Sequence, residues 1–251
     1  MSKSSFIENK INEFMSNFDK LPKHIGFIMD GNRRFAKKRR FAIVEGHKSG
    51  AEKMHEIVKF LGEIGIPYMT VYAFSTENNK RAPVEVKALM DLLLFYLDKY
   101  EDELAEADVK INFIGEISDL SPRIVSRINE AENNSKDRKG LNLIIAFNYG
   151  SRTEIMRACQ NFAKDCQNNP DLLEMSNPDI FSRYLYMPET AELDFIIRCG
   201  GELRLSNFLL WQAAYAELYF TDTLWPEFSL DELCSALDTF MNRERRYGGT
   251  V

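Results

Sequence analysis

The sequence predicts a single α/β domain with a central, mostly parallel sheet of about six strands flanked by helices. Three observations carry this expectation. Six short apolar runs rich in β-branched and aromatic residues punctuate the chain. Most of the stretches between them have helical periodicity, and strands alternating with helices pair in parallel, with the helices on both faces. The chain has 251 residues, 45% of them apolar, which suits one full hydrophobic core and excludes global disorder.

Taken in order, residues 1–20 read as an amphipathic N-terminal helix ahead of a domain spanning 21–251. Ile7, Ile11, Phe14, Met15 and Phe18 fall at helical spacing, a stripe suited to packing on the domain or to contacting a membrane surface or partner. Strands are expected at Ile25–Met29, Met69–Phe74, Val109–Ile114, Leu141–Phe147, Phe195–Ile197 and Leu218–Phe220. Helices are expected at 48–62, 84–103, 121–134, 152–166 and 206–216. No repeat or low-complexity linker interrupts them. In such sheets ligands bind at the carboxyl ends of the strands, so the chemistry should follow the apolar runs.

Composition narrows the classes. The net charge of −6 argues against a nucleic-acid partner, although local arginine clusters can still bind anions. Cys159, Cys166, Cys199 and Cys234 form no C-x-x-C pair and have no histidine at zinc spacing. They read as reduced thiols of a cytoplasmic protein. No apolar run reaches the ~18 residues of a membrane span, and the N-terminus lacks a signal-peptide core. A peripheral position at a membrane stays open.

Three strand ends carry candidate chemistry. After the first run comes Asp30-Gly31-Asn32-Arg33-Arg34-Phe35. Gly31 lets the backbone approach a ligand. A helix starting near Asn32 would present free N–H groups to an anion, and the two arginines add phosphate donors. A carboxylate beside a phosphate site makes sense with Mg²⁺ between them, since Mg²⁺ takes one or two carboxylates plus phosphate oxygens. The plainer reading is an aspartate cap before a solvated basic face. The second run ends in Ser75-Thr76-Glu77-Asn78-Asn79-Lys80-Arg81, followed by Glu85. Glu77, Arg81 and Glu85 would share a face if this stretch is helical, as a capped helix with surface ion pairs would also have it. The third follows Ile197 with Arg198, Gly200, Gly201, Arg204, Leu205 and Ser206; two arginines can clamp a diphosphate. Downstream, Glu217 closes an apolar stretch and would be costly to bury unless paired or metal-bound. Three such ends together suggest two anionic ligands side by side. Neither the P-loop nor the G-x-G-x-x-G pattern occurs.

The segments HIGFIMDGNRRFAKK, EGHKSGAEK, YAFSTENNKR, RCGGELRLSNFLLWQAAYAELYFTDTLWPEF and NRERRYGGT, in this order from His24 to Val251, resemble the cis-prenyltransferase family. That resemblance implies a Mg²⁺-dependent transferase. It would condense isopentenyl diphosphate with an allylic diphosphate, farnesyl diphosphate in many members, in cis configuration. The product would be a polyprenyl diphosphate such as undecaprenyl or dehydrodolichyl diphosphate, delivered to a membrane. The resemblance also implies residue roles. Asp30 would hold Mg²⁺, with Glu217 as a second ligand given across a dimer interface. Gly31, Asn32, Arg33, Arg34 and His47 would bind the allylic diphosphate, with Phe35 stacking nearby. Ser75, Thr76, Glu77, Asn78, Asn79 and Arg81 would surround the reacting centre, Asn78 as proton acceptor. Arg198, Arg204, Leu205 and Ser206 would hold isopentenyl diphosphate. Arg246 and Gly248 match a carboxyl-terminal R-x-G element that reaches into the partner's site, which implies a homodimer. A growing isoprenoid needs an apolar tunnel. The 84–103 helix offers Leu89, Met90, Leu92, Leu93, Leu94, Phe95 and Leu97 for it, or for the core.

The chain departs from the family pattern at three places. Ile43 stands where an arginine is usual four residues before the motif histidine, leaving Arg39 or Arg40 to compensate or a weaker allylic pocket. Asn79 replaces an aromatic, and Cys199 replaces a threonine. Two other functions were weighed. A non-catalytic subunit of a heteromeric prenyltransferase would lack Asp30 and Asn78. A phosphohydrolase would want a second aspartate two residues after Asp30, where Asn32 stands.

Overall fold

The strand β1 (His24–Ile28) is buried along its whole length, as a central strand covered on both faces must be. In the computed structural model, which describes residues 3–174 and 177–243, it sits inside a six-stranded sheet of order β3-β4-β2-β1-β5-β6. The other strands are β2 (Tyr68–Ser75), β3 (Lys110–Ile114), β4 (Asn142–Tyr149), β5 (Phe195–Arg198) and β6 (Glu217–Phe220). Every pairing is parallel, so the expected mostly parallel sheet is wholly so, and the six runs read from the sequence are its six strands.

The helices are α1 (Lys3–Ser16), α2 (Asn32–Arg39), α3 (Ile43–Glu63), α4 (Pro83–Glu106), α5 (Pro122–Ser135), α6 (Ser151–Asn168), α7 (Pro178–Ser182) and α8 (Leu230–Met241). One face of the sheet meets the larger core. Ile25 and Phe27 of β1 pack there with Ile57 and Leu61 of α3, Leu94 and Leu97 of α4, Ile128 of α5 and Leu237 of α8. The opposite face is covered by Leu193, Phe208 and Leu209, which meet Ile28, Ile144 and Ile196. The chain leaving β1 therefore runs onto one face and the chain leaving β5 onto the other. Such a divergence between adjacent strands opens a crevice at their carboxyl ends.

The amphipathic N-terminal helix packs on the domain. Phe14 is fully buried, Ile7 and Ile11 lie against the core, and Lys10 Nζ is 2.8 Å from Asp238 of α8. The expected helix at 206–216 is absent. Residues 206–215 form successive turns, with φ of 50° at Ser206, 66° at Asn207 and 44° at Leu209. A helix there would need φ near −63°. Some hydrogen bonds close turns within the segment, such as the Ala213 amide to the Leu209 carbonyl at 2.8 Å, and others reach a neighbouring element. Leu210 N–H donates to Ser151 Oγ (2.9 Å), and Asn207 accepts from the Arg152 amide (2.9 Å). The apolar stretch thus closes irregular turns of its own and also fastens to the start of α6.

Candidate active site

At the carboxyl ends of β1, β2 and β5 lies a cleft of about 860 Å³. Asp30 follows β1 at its floor. Its Oδ1 accepts from Arg34 Nη2 and its Oδ2 from Arg198 Nη2, both at 3.0 Å. Gly31 between Asp30 and α2 takes φ 115°, a left-handed conformation open to glycine. A Cβ there would come within 2.9 Å of Leu224. Arg34 reaches back from the first turn of α2, and its Nη1 donates to the Gly200 carbonyl at 2.7 Å.

Arg198, the last residue of β5, is only 3% exposed. Its Nη1 donates to Ser206 Oγ (2.8 Å) and to the carbonyl of Arg204. Its buried Nε has no partner among the described residues. A buried guanidinium is costly unless compensated, and Asp30 is its counter-charge.

The second wall comes from β2 and α3. Register shifts between Tyr72 and Ser75 irregularise the end of β2, as bulges beside sites commonly do. Thr76–Lys80 then form a short 3₁₀ turn in which Asn78 Oδ1 accepts from the Ser75 amide at 3.3 Å. Arg81 is extended, so Glu77, Arg81 and Glu85 do not share one helical face. Arg81 still reaches Glu85 (3.2 Å), whereas Glu77 turns to Asn207 Nδ2 (3.1 Å). Burial would raise the Glu77 pKa, but hydrogen bonds from its own backbone, Asn207, Ser75 and Thr76 outweigh it and hold the carboxyl below its ordinary value. The same Glu85 oxygen is 3.7 Å from His47 Nε2 and 3.8 Å from Arg33 Nε. Burial, with Arg81 as a second cause, pulls His47 down to about 4, against the opposing pull of Glu85. The ring is therefore neutral near pH 7.

Of the residues read from the sequence, Asp30, Gly31, Asn32, Arg33, Arg34, His47, Ser75, Glu77, Asn78, Arg81, Arg198, Arg204 and Ser206 line this one cleft. Phe35 does not. It is buried against Phe41 with ring centroids 6.4 Å apart. Asn79 donates to Asn148 at 2.8 Å, Thr76 to Glu77, and Leu205 packs with the smaller core. Glu217 begins β6 opposite Phe195, whereas Asp30 lies beyond Ile28, the partner of Arg198. Within one chain these carboxylates are thus at opposite ends of the sheet. Glu217 is paired with Arg243. Arg246 and Gly248 lie outside the described residues.

The sequence reading gives no role to Tyr72 or to Asn207, which also line the cleft. Tyr72 sits inside an apolar run and gave no polar signal; its hydroxyl donates to the carbonyls of Tyr149 (3.2 Å) and Ser206 (3.3 Å). Asn207 follows Ser206 directly, and its positive φ is one that asparagine tolerates, which was the available clue. The cleft adjoins a smaller apolar cavity of about 110 Å³ through Met29, Asn32, His47, Ala73 and Leu89. Leu92, Leu93 and Trp225 line that cavity, and a further space of about 50 Å³ continues past Leu97 to His55 and Tyr100. Of the α4 residues offered for a tunnel, Leu94 is in the core and Phe95 faces solvent.

Five guanidinium groups (Arg33, Arg34, Arg81, Arg198 and Arg204) thus face two carboxylates in a cleft of a net acidic chain. Such an excess suits a polyanion. Comparison with known proteins agrees. A family model described as "Putative undecaprenyl diphosphate synthase" matches residues 28–248. An isoprenyl transferase of Thermotoga maritima is 42% identical over 92% of this chain and 99% of its own. The ditrans,polycis-undecaprenyl-diphosphate synthase of Escherichia coli, specific for (2E,6E)-farnesyl diphosphate, is 42% identical over 92% of this chain and 93% of its own. The crystal structure of lavandulyl diphosphate synthase from Lavandula x intermedia, in complex with dimethylallyl diphosphate, superposes with a TM-score of 0.86 at 33% identity, covering 92% of this chain and 99% of that one. Fold, cleft and relatives converge, and the chain belongs to the undecaprenyl diphosphate synthase family of prenyltransferases.

Proposed function

We propose that the cleft condenses isopentenyl diphosphate with an allylic diphosphate, farnesyl diphosphate foremost, and lengthens the chain in cis configuration. The observation that carries this reading is the join between the arginine-lined cleft and the apolar cavity. A molecule with a polyanionic head and a hydrocarbon tail needs both, side by side. Arg33, Arg34 and the N-terminal amides of α2 would take the allylic diphosphate, with His47 beside them. Arg198, Arg204 and Ser206 would take the isopentenyl diphosphate.

The residues present fit Mg²⁺ shared with substrate. Among the described residues no cluster of three or more metal-ligating side chains exists, but Asp30 is one carboxylate facing the phosphate-binding donors. Mg²⁺ commonly binds through one or two carboxylates plus substrate phosphates. Such an ion would offset charge developing on the departing diphosphate. Asp30 bridges Arg34 and Arg198, and diphosphate would replace it on those arginines and free it for metal. In the reaction the allylic C–O bond breaks and its electron pair leaves with diphosphate. The isopentenyl π pair forms the new C–C bond, and a proton then leaves the resulting cation. Guanidinium donors already fixed in place stabilise the leaving group without reorganising. A carbocation is acidic enough for a weak base, and we assign that position to the Asn78 amide oxygen. Since Glu217 lies at the far end of its own sheet, a metal role for it requires a second copy of the chain. A homodimer would supply it, and would bring Arg246 and Gly248 from the partner as well.

Incubating the chain with farnesyl diphosphate, labelled isopentenyl diphosphate and Mg²⁺ is expected to give labelled polyprenyl diphosphate, abolished by EDTA. Asp30→Asn should lower turnover by roughly 10²–10³-fold; because it also removes the counter-charge of the buried Arg198, the thermal midpoint should fall as well, and circular dichroism at the assay temperature should still show a folded chain. If Glu217 acts in trans, mixing Asp30→Asn with Glu217→Gln chains should restore about a quarter of wild-type activity, through one intact site per hybrid dimer. Absence of incorporation by the wild-type chain would overturn the reading.

A further inference from the structure

The corner between α2 and α3 carries a surface outside the lining of the arginine cleft. The chain is acidic overall, with net charge −6, yet Lys37, Lys38, Arg39 and Arg40 are consecutive and all exposed. Lys38 and Arg39 face Glu227 at 2.9 and 3.5 Å, and the nearby Glu45 is taken up by Lys48 at 2.8 Å. Lys37 and Arg40 make no ion pair among the described residues, so a net positive patch remains. Phe41 and Ile43 follow at once, 53% and 42% exposed, and Val84 at the start of α4 is 82% exposed. Ile43 and Val84 border an apolar cavity of about 280 Å³ that extends to Leu89, a residue that also lines the arginine cleft. Large apolar side chains close in sequence to two uncompensated cations suit an interface that is anionic at its surface and hydrocarbon beneath.

We propose that this corner docks on the anionic surface of a lipid bilayer. Lys37 and Arg40 meet the headgroups, Phe41, Ile43 and Val84 enter the acyl boundary, and the apolar cavity opens toward the lipid. The benefit rests on the transferase reading, since an apolar product would then leave directly into hydrocarbon, but docking itself needs no turnover.

The test is co-sedimentation of the full chain with vesicles of one-quarter phosphatidylglycerol in phosphatidylcholine, without substrate. The wild-type chain is expected to pellet with these vesicles, less so in 0.5 M salt, and at least tenfold less with pure phosphatidylcholine. Lys37→Ser combined with Arg40→Asn should lower the partition coefficient roughly 30-fold; asparagine suits Arg40 because that residue has φ 58°. Phe41→Ser should lower it roughly tenfold. Lys136→Ser with Lys139→Ser removes the same charge from the opposite end of the sheet and should change nothing. The proposal fails if the wild type stays in the supernatant or if the two double variants behave alike. It fails too if Phe41→Ser alters the sedimentation coefficient of the free protein, which would assign this face to a second copy. Isoprenyl incorporation by Phe41→Ser should equal that of the wild type, so loss of the transferase reading and loss of docking are separable results.

Discussion

Glu85 holds more of the cleft in place than its position on α4 advertises. One of its oxygens lies within 3.2–3.8 Å of Arg81, His47 and Arg33, and its side chain is 12% exposed. Two of these partners are guanidiniums of the cleft wall that would otherwise repel one another, so the carboxylate between them sets their spacing. Glu85→Gln keeps the shape and removes the charge. We expect KM for the allylic diphosphate to rise roughly tenfold with a smaller change in kcat, corresponding to about 1.4 kcal/mol. Because Glu85 raises the pKa of His47 against burial and Arg81, the variant should also move the His47 titration further down in an NMR experiment. A merely structural role for Glu85 would leave that titration where it is.

The packing of α2 on α3 gives a sharper contrast. Gly46 and Gly50 both face α2. A Cβ on Gly46 would stand 2.2 Å from the Asn32 backbone oxygen, whereas a Cβ on Gly50 would stand 2.4 Å from the Asn32 side-chain oxygen. Backbone cannot yield cheaply, so Gly46→Ala should destabilise by about 3 kcal/mol from overpacking. A side chain can yield. Gly50→Ala regains about 1 kcal/mol of helix propensity and should change the unfolding midpoint little, while weakening diphosphate binding by pushing Asn32 out of place. Urea unfolding and pyrophosphate titration of the two variants would check this, with stability lost in one and affinity in the other. The same local physics explains what was readable beforehand. The strands were legible because buried parallel strands are continuous apolar runs, and Asp30, Arg198 and Ser206 were legible because polar chemistry starts where those runs stop. The 206–216 segment was misread as helix because its apolar residues also have helical spacing; only the positive φ values and the bonds to Ser151 and Arg152 show that it serves as a cover for the sheet. Phe35 was misplaced for a related reason, since an aromatic beside an anion site can pack downward on Phe41 as readily as toward a ligand. The position of Glu217 at the far strand end needed the β5–β6 register, which no single sequence displays.

Stability of the molecule as a whole should carry the mark of His47 in acid. All three histidines, His24, His47 and His55, are pulled below their ordinary value, chiefly by burial. Between the folded His47 value of about 4 and the unfolded value near 6.5, the unfolded chain binds the extra proton. Stability from this group is therefore complete above about pH 6.5 and is lost as pH falls toward 4. The shift corresponds to about 3 kcal/mol. Glu132 and Glu154 are displaced the other way, raised by burial, so their contribution falls as pH rises above the ordinary carboxylate range. The two trends oppose each other between pH 4.5 and 6.5, and the raw pH profile of the wild type cannot separate them. The difference between wild type and His47→Gln can, because both chains contain the same carboxylates. Urea unfolding at pH 7.5 and pH 4.5 should show that difference shifting in favour of the glutamine variant by about 2–3 kcal/mol on acidification. A difference independent of pH would mean that His47 titrates normally, and that Arg81 and burial do not hold it neutral.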